Sequence, residues 1–239
     1  MQVGADKMGI RNFLLLLAAG FIVYKYFYRV PEESFGVYDG PSQVAPRLSG
    51  REVLGHLRVD LGGERYIGAH GFLLNANSRK LVVSASHVVV GSFSAVSGVA
   101  IMSGENALVE DAKPAVGISY NTCRSNDARR DVAFYTTNSG PVSGALSISD
   151  MPPKVGQSVW LLCTLDGAGQ RKELIAATVT ASTNRGLQYD FEKPVAFRGT
   201  SGCPVINSDK ELVGVNVCGH SAGGLAVPIP TLVDSLEDI

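Results

Sequence analysis

From residue 50 onward the chain alternates short apolar runs with clusters of Asn, Asp, Gly, Ser and Pro. Short runs rich in Val, Leu, Ile, Ala or Tyr, bounded by turn formers, predict strands. The first set is Val53–Val59, Arg65–Leu74, Lys80–Ala85, Gly98–Met102, Ala107–Val109 and Asp131–Thr136. The second set is Ser158–Leu162, Lys172–Thr180, Gly186–Tyr189, Cys203–Ile206, Leu212–Cys218 and Gly224–Pro228. Two groups of six predict an all-β fold with two antiparallel barrels, over residues 50–140 and 155–232, with Thr137–Val155 joining them. A helical period shows only in the tail, Pro230–Asp238, which reads as a short terminal helix.

A different pattern precedes the strands. Phe13 to Tyr24 (FLLLLAAGFIVY) is uniformly apolar, with Lys7 and Arg11 before it and Lys25 and Arg29 after. Twelve residues fall short of the roughly 20 needed to span a bilayer. The run continues through Tyr26, Phe27, Tyr28 and Val30, however; Lys25 can snorkel and the tyrosines suit an interfacial belt. Residues 1–30 therefore read as an N-terminal transmembrane helix, a single-pass anchor that makes the membrane a partner and the place of residence. A cleaved signal peptide would end in a small-x-small site, and the chain reads YKYFYR there. Two cations on each flank leave the orientation open. Residues 31–49, with three prolines and no periodicity, read as a linker to a folded domain at 50–239.

Composition narrows the class. Of 239 residues 45% are hydrophobic and 18% charged, enough apolar material for a packed core. A net charge of −1 gives no basic field for nucleic acid. Cys123, Cys163, Cys203 and Cys218 form no C-x-x-C pair and have no histidines at zinc spacing, so no zinc site is expected. Their redox state stays open.

Three local patterns carry chemistry. In KLVVSASHVVV (Lys80–Val90) an apolar strand runs through small residues into His87. A general base needs a rigid mount with one ring nitrogen free, and a strand end supplies it. Alone, such a histidine is more often a packed core residue. In RRDVAFYTT an aspartate, Asp131, opens an apolar strand, as a buried acid that orients a histidine would. The plainer reading is a surface carboxylate paired with Arg129 or Arg130. Asp127 competes for the role but lacks the apolar continuation that would bury it. The third pattern, FRGTSGCPV (Phe197–Val205), is the most specific. Gly199 and Gly202 allow a tight turn in which Ser201 is the nucleophile and the Gly199 and Ser201 amides form an oxyanion hole, each donor worth about 3–4 kcal/mol. His87, Asp131 and Ser201, spaced by 44 and 70 residues, follow the order of a known triad template.

These residues resemble the trypsin-like serine proteases, and among them the HtrA/DegP-type group and similar viral serine proteases. The matching stretches are Gly68–Val89, Asp131–Tyr135 and Gly199–Ile229, within a resemblance covering about residues 50–235. It implies two six-stranded, chymotrypsin-like Greek-key barrels with His87 and Asp131 on the first and Ser201 on the second. It implies a serine endopeptidase that acts on protein or peptide substrates through an acyl-enzyme without a cofactor, in quality control or polyprotein processing. Trimers are common in the group, which makes oligomerisation an open partner question. Two departures stand out: Cys203 replaces the usual glycine two residues after the serine, and no cysteine neighbours His87. No peptide-binding domain follows the barrels in this sequence. Cys203 is not read as a nucleophile, since it already belongs to the next strand, and its register keeps it too far from Cys218 for a disulfide.

The resemblance puts the base of the specificity pocket at Val195 and Ala196, with Asn216, Val217, Cys218 and Gly219 along its wall. No acid stands at Val195, so small or medium apolar side chains are expected rather than Arg or Lys. The alternative from another class is an inactive protease fold that only binds. An esterase lacks support, because the G-x-S-x-G elbow and α/β alternation are missing.

Overall fold

The computed structural model describes residues 34–89, 93–117, 127–164, 171–237 and 239. The expected N-terminal anchor lies outside the described residues. Among those described, no helix is long and apolar enough to cross a membrane.

Among the described residues, twelve strands and one C-terminal helix make up the fold. The first six are β1 (Leu54–Leu61), β2 (Glu64–Ala76), β3 (Arg79–Ser84), β4 (Val96–Ser103), β5 (Asn106–Val116) and β6 (Ala133–Thr136). They close into a barrel in the order β1-β2-β3-β6-β5-β4. The second six are β7 (Ser158–Thr164), β8 (Lys172–Thr183), β9 (Gly186–Phe191), β10 (Pro204–Ile206), β11 (Leu212–His220) and β12 (Gly223–Pro228). Their order, β7-β8-β9-β12-β11-β10, repeats that of the first barrel. Strand-to-strand pairing within both barrels is antiparallel. Helix α1 (Ile229–Glu237) follows, as the tail pattern predicts.

The period-two pattern explains the strands. On β9, Leu187, Tyr189 and Phe191 turn inward while Gln188 and Asp190 face water. On β1, Leu57 and Val59 are fully buried between the partly exposed Arg58 and Asp60. Barrel closure leaves no open sheet edge. Side chains from β7, β10 and β11, including Trp160, Leu162, Ile206, Val215 and Val217, leave the second barrel's interior and join the apolar cluster of the first. The two barrels thus share a buried interface.

The connection between them is pinned on both sides: Leu146 bridges to Leu74 on β2, and Ile148 to Leu212 on β11. The stretch read as a linker is docked in part. Phe35 and Tyr38 donate backbone bonds to Ser182 and Val155, and Val37 forms a bridge with Val155.

Candidate active site

Each of the three chemical groups is placed by a different device. After β3 the chain enters a short 3-10 turn, Ser86–Val88, which carries His87 toward the second barrel. Asp131 stands two residues before β6, in a turn where its N–H donates to the Ala128 carbonyl. That turn is braced by the β8–β9 hairpin, whose Arg185 carbonyl accepts from the Ala128 N–H at 2.8 Å.

Asp131 is 0% exposed, and a buried carboxylate requires donors. It accepts from the His87 backbone N–H at 3.0 Å and the Ser86 hydroxyl at 3.1 Å. Both its oxygens lie 2.9 Å from His87 Nδ1. A carboxylate only accepts, so Nδ1 carries the proton and Nε2 presents its lone pair. That nitrogen is 2.9 Å from Ser201 Oγ, whose proton it can accept. The imidazole remains 28% exposed, open to the cleft. The rival pairings sort themselves out: Arg129 bonds Asp127 through its backbone N–H, Nε and Nη2. The Arg129 guanidinium, by hydrogen bonding, holds the Asp127 carboxyl below its usual range.

Ser201 sits on a turn that ordinary residues could not make. Gly199 has φ +83° and Gly202 φ +82°, in the left-handed region. The Thr200 N–H returns to the Phe197 carbonyl at 3.3 Å, closing a four-residue turn with Gly199 in its third position. A positive φ there is the mark of a type II turn, which turns the central peptide over and points the Gly199 N–H away from the turn's own carbonyls. Among the described residues, neither the Gly199 N–H nor the Ser201 N–H donates to another protein atom. At Gly202 a Cβ would overlap the His70 carbonyl, so glycine is required by space as well as by φ.

The residues expected to form the specificity pocket fall into separate places. Val195 and Ala196 border a cavity of about 410 Å³ shared with Leu174 and Ile175 of β8 and with the charged Glu173, Glu192 and Lys193. Cys218 and Gly219 border another of about 390 Å³, with Asp190 and His220. Val217 is buried at the barrel interface. The Phe197 ring lies against Gly219, where a Cβ would come within 2.5 Å of it. Asn216 is 0% exposed and turned inward. Its Oδ1 accepts from the Tyr189 hydroxyl at 2.6 Å and its Nδ2 donates to the Thr200 carbonyl at 2.9 Å. It braces the serine turn from behind. Burial raises the Tyr189 hydroxyl well above its ordinary pKa, keeping it a donor.

Several residues around the site carry no signal of their place in the local sequence. Ser86 donates to Asp131, and His70 on β2 contacts the serine turn and Thr164 of β7. Cys163 and Cys203 form a disulfide, with Cα atoms 5.6 Å apart. It ties β7 to the residue two beyond Ser201. Cys218 is disulfide-bonded as well. A cysteine on β7 and another one residue before β10 leave no local spacing signal; Ser86 alone could have been suspected, one residue before the histidine.

Two closed six-stranded antiparallel barrels in Greek-key order define the chymotrypsin-like class of fold, and a hydroxyl, an imidazole and a buried carboxylate lie in series between them. The sequence matches the trypsin-like peptidase domain over residues 69–215, and the chain belongs to that family. No curated protein sequence is significantly similar. Among solved structures, the active form of the Rv3671c protease from M. tuberculosis aligns with TM-score 0.56 and 16% identity, over 84% of this chain and 92% of that one. Its inactive form aligns with TM-score 0.54 and 18% identity, over 84% and 99%. The serine endoprotease from Yersinia pestis aligns with TM-score 0.57 and 16% identity, over 78% of this chain and 62% of its own length. At such identities the likeness is one of fold.

Proposed function

We propose that the protein is a serine endopeptidase in which Ser201 is the nucleophile, His87 the general base and acid, and Asp131 the group that orients the histidine and stabilises its charged form. The observation that carries this is the unbroken series from Asp131 through His87 to Ser201, with each link at 2.9 Å. Ser201 Oγ attacks the peptide carbonyl as His87 Nε2 takes its proton, and buried Asp131 stabilises the imidazolium that forms. The oxyanion accepts from the Gly199 and Ser201 amides, whose freedom from protein acceptors supports that role. His87 then protonates the leaving amine. Water, activated by the same nitrogen, hydrolyses the acyl-enzyme and restores Ser201. Every proton is handled by His87, and no metal or cofactor enters any step.

The apolar side chains of Val195 and Ala196 support substrates with small or medium apolar residues at the cleaved bond, while Glu173, Glu192 and Lys193 add charge to the same cavity. The apolar run from Phe13 to Tyr24 supports a membrane tether, with quality control or polyprotein processing as the setting. The test is a fluorophosphonate probe on the full-length protein, mapped by mass spectrometry. Full length matters because Phe35 and Tyr38 pair with the second barrel. Labelling at Ser201, lost in Ser201→Ala and His87→Ala, is expected. A folded protein that does not label would move the inactive, binding-only reading to the front.

A further inference from the structure

A second histidine, which plays no part in the proton transfers above, lies directly behind the serine turn. His70 is 2% exposed. A buried imidazole is costly unless both ring nitrogens find partners. Nδ1 lies 2.7 Å from the Gly199 carbonyl oxygen, which only accepts, so Nδ1 carries the proton. Nε2 lies 2.6 Å from the Thr164 hydroxyl and receives the Thr164 backbone N–H at 3.3 Å. One neutral tautomer satisfies these contacts. A second proton on Nε2 would find the Thr164 carbonyl at 3.0 Å but would turn away the N–H.

The main chain of the same residue adds to the grip. Its N–H donates to the Ser201 carbonyl at 2.8 Å. Its carbonyl accepts from the Ser84 hydroxyl at 2.6 Å and fills the space beside Gly202. The ring packs against His56, with centroids 4.8 Å apart. His70 therefore holds the carbonyls of Gly199 and Ser201, on either side of Thr200. Its far end is anchored on Thr164, next to the half-cystine that ties β7 to Cys203.

Gly199 is the free joint in this turn, since glycine alone tolerates rotation through these dihedrals. Its carbonyl and its amide share one Cα, so fixing one restricts the other. We infer that His70 is a positioning residue whose imidazole, bridging Thr164 to the Gly199 carbonyl, locks the serine turn with the Gly199 amide facing the cleft. This rests on the reading of Ser201 as nucleophile, but the locking of the turn can be observed without it.

The test compares His70→Leu, which keeps the bulk and loses both nitrogens, with His70→Asn, whose amide nitrogen replaces Nδ1, and His70→Gln, whose amide sits nearer Thr164. Two readouts are taken on the full-length protein: the maximal rate and half-saturating concentration of fluorophosphonate labelling, and deuterium uptake across Phe197–Gly202. His70→Leu should lower the maximal rate on the order of 10- to 100-fold with little change in half-saturation, as a displaced donor does. It should also raise uptake in Phe197–Gly202 and leave β8 unchanged. His70→Asn should recover to within about 5-fold of wild type and exceed His70→Gln, because it keeps the bond to Gly199. That ordering also serves if the leucine variant fails to fold. A folded leucine variant within about 2-fold of wild type in both readouts, or asparagine no better than glutamine, overturns the inference. If the wild type does not label while uptake responds as expected, the lock stands and the protease reading falls.

Discussion

In the first barrel the connection from third to fourth strand carries His87; in the second, the equivalent connection carries Ser201. The same topological position is held by opposite means. His87 occupies a 3-10 turn of ordinary dihedrals, and a single carboxylate bonds both its main-chain N–H and its ring. Ser201 lies between two residues of positive φ, and holding it takes a disulfide, Asn216, and the backbone of His70. A base needs only its ring aimed. A nucleophile turn must aim a hydroxyl and two amides at one point, which requires a backbone that strays from the common regions and is braced from outside. On the proposed roles, bracing takes fewer residues in one barrel than in the other because the two tasks differ.

The largest effects are expected from removing one reactive group from each barrel. Ser201→Ala and His87→Ala should each cut turnover about 10⁶-fold, and the double variant should be no worse, since the groups act as a unit. Additive losses would mean that they work separately. Asp131→Asn should cost about 10⁴-fold in turnover while the domain stays folded, because the amide favours the wrong tautomer of His87.

Next come the two glycines of the serine turn. Gly199→Ala has open space around it and should lower unfolding free energy by about 1–2 kcal/mol, the cost of a left-handed side chain alone. Gly202→Ala adds overlap with the His70 carbonyl and should cost more than Gly199→Ala in chemical denaturation, or fail to fold. Equal losses would show that the barrel contact at Gly202 yields easily. Cys163→Ser with Cys203→Ser opens a crosslink of sequence separation 40 and should lower stability by about 2–4 kcal/mol under oxidising conditions, with no change under reductant.

The smallest effect belongs to the carboxylate once in competition with Asp131. Because Asp127 has a lowered pKa, the stability it lends is present above the ordinary carboxylate range and lost as pH falls through its folded value. The pair is solvent-exposed in part, so Asp127→Asn should leave turnover at pH 7 unchanged and flatten the acid limb of the melting profile only slightly. A large loss of turnover would show that Asp127, not Asp131, serves His87.

Much of this architecture was legible because alternation of buried and exposed positions is written locally. Eleven of the strands and the tail helix fall within a few residues of the pattern. The exception in extent is β5, read as Ala107–Val109 and found to run Asn106–Val116. Lys113 and Pro114 interrupt its apolar pattern, and the proline is tolerated beside a register shift in the pairing with β6. The proximity of His87, Asp131 and Ser201 was suggested by order and by the glycines. What stayed hidden are contacts between elements far apart in sequence. Cys163 meets Cys203 because β7 and β10 close the second barrel, with Val205 opposite Leu161. His70 meets Thr164 because β2 faces β7 across the interface. No local composition encodes either, and the inward turn of Asn216 depends on Tyr189 arriving from another strand.

The serine turn runs straight into β10, whose pairing with β7 is the seam of the second barrel. During synthesis this has a consequence in time. His87 and Asp131 leave the ribosome together with nearly the whole of their barrel, whereas Ser201 emerges when β11 and β12 do not yet exist. Contacts of such long sequence separation form late. The region around Ser201 is thus the last part of the molecule to become whole, and a chain interrupted before its final strands carries His87, Asp131 and Ser201 without the β11 and β12 that close the second barrel.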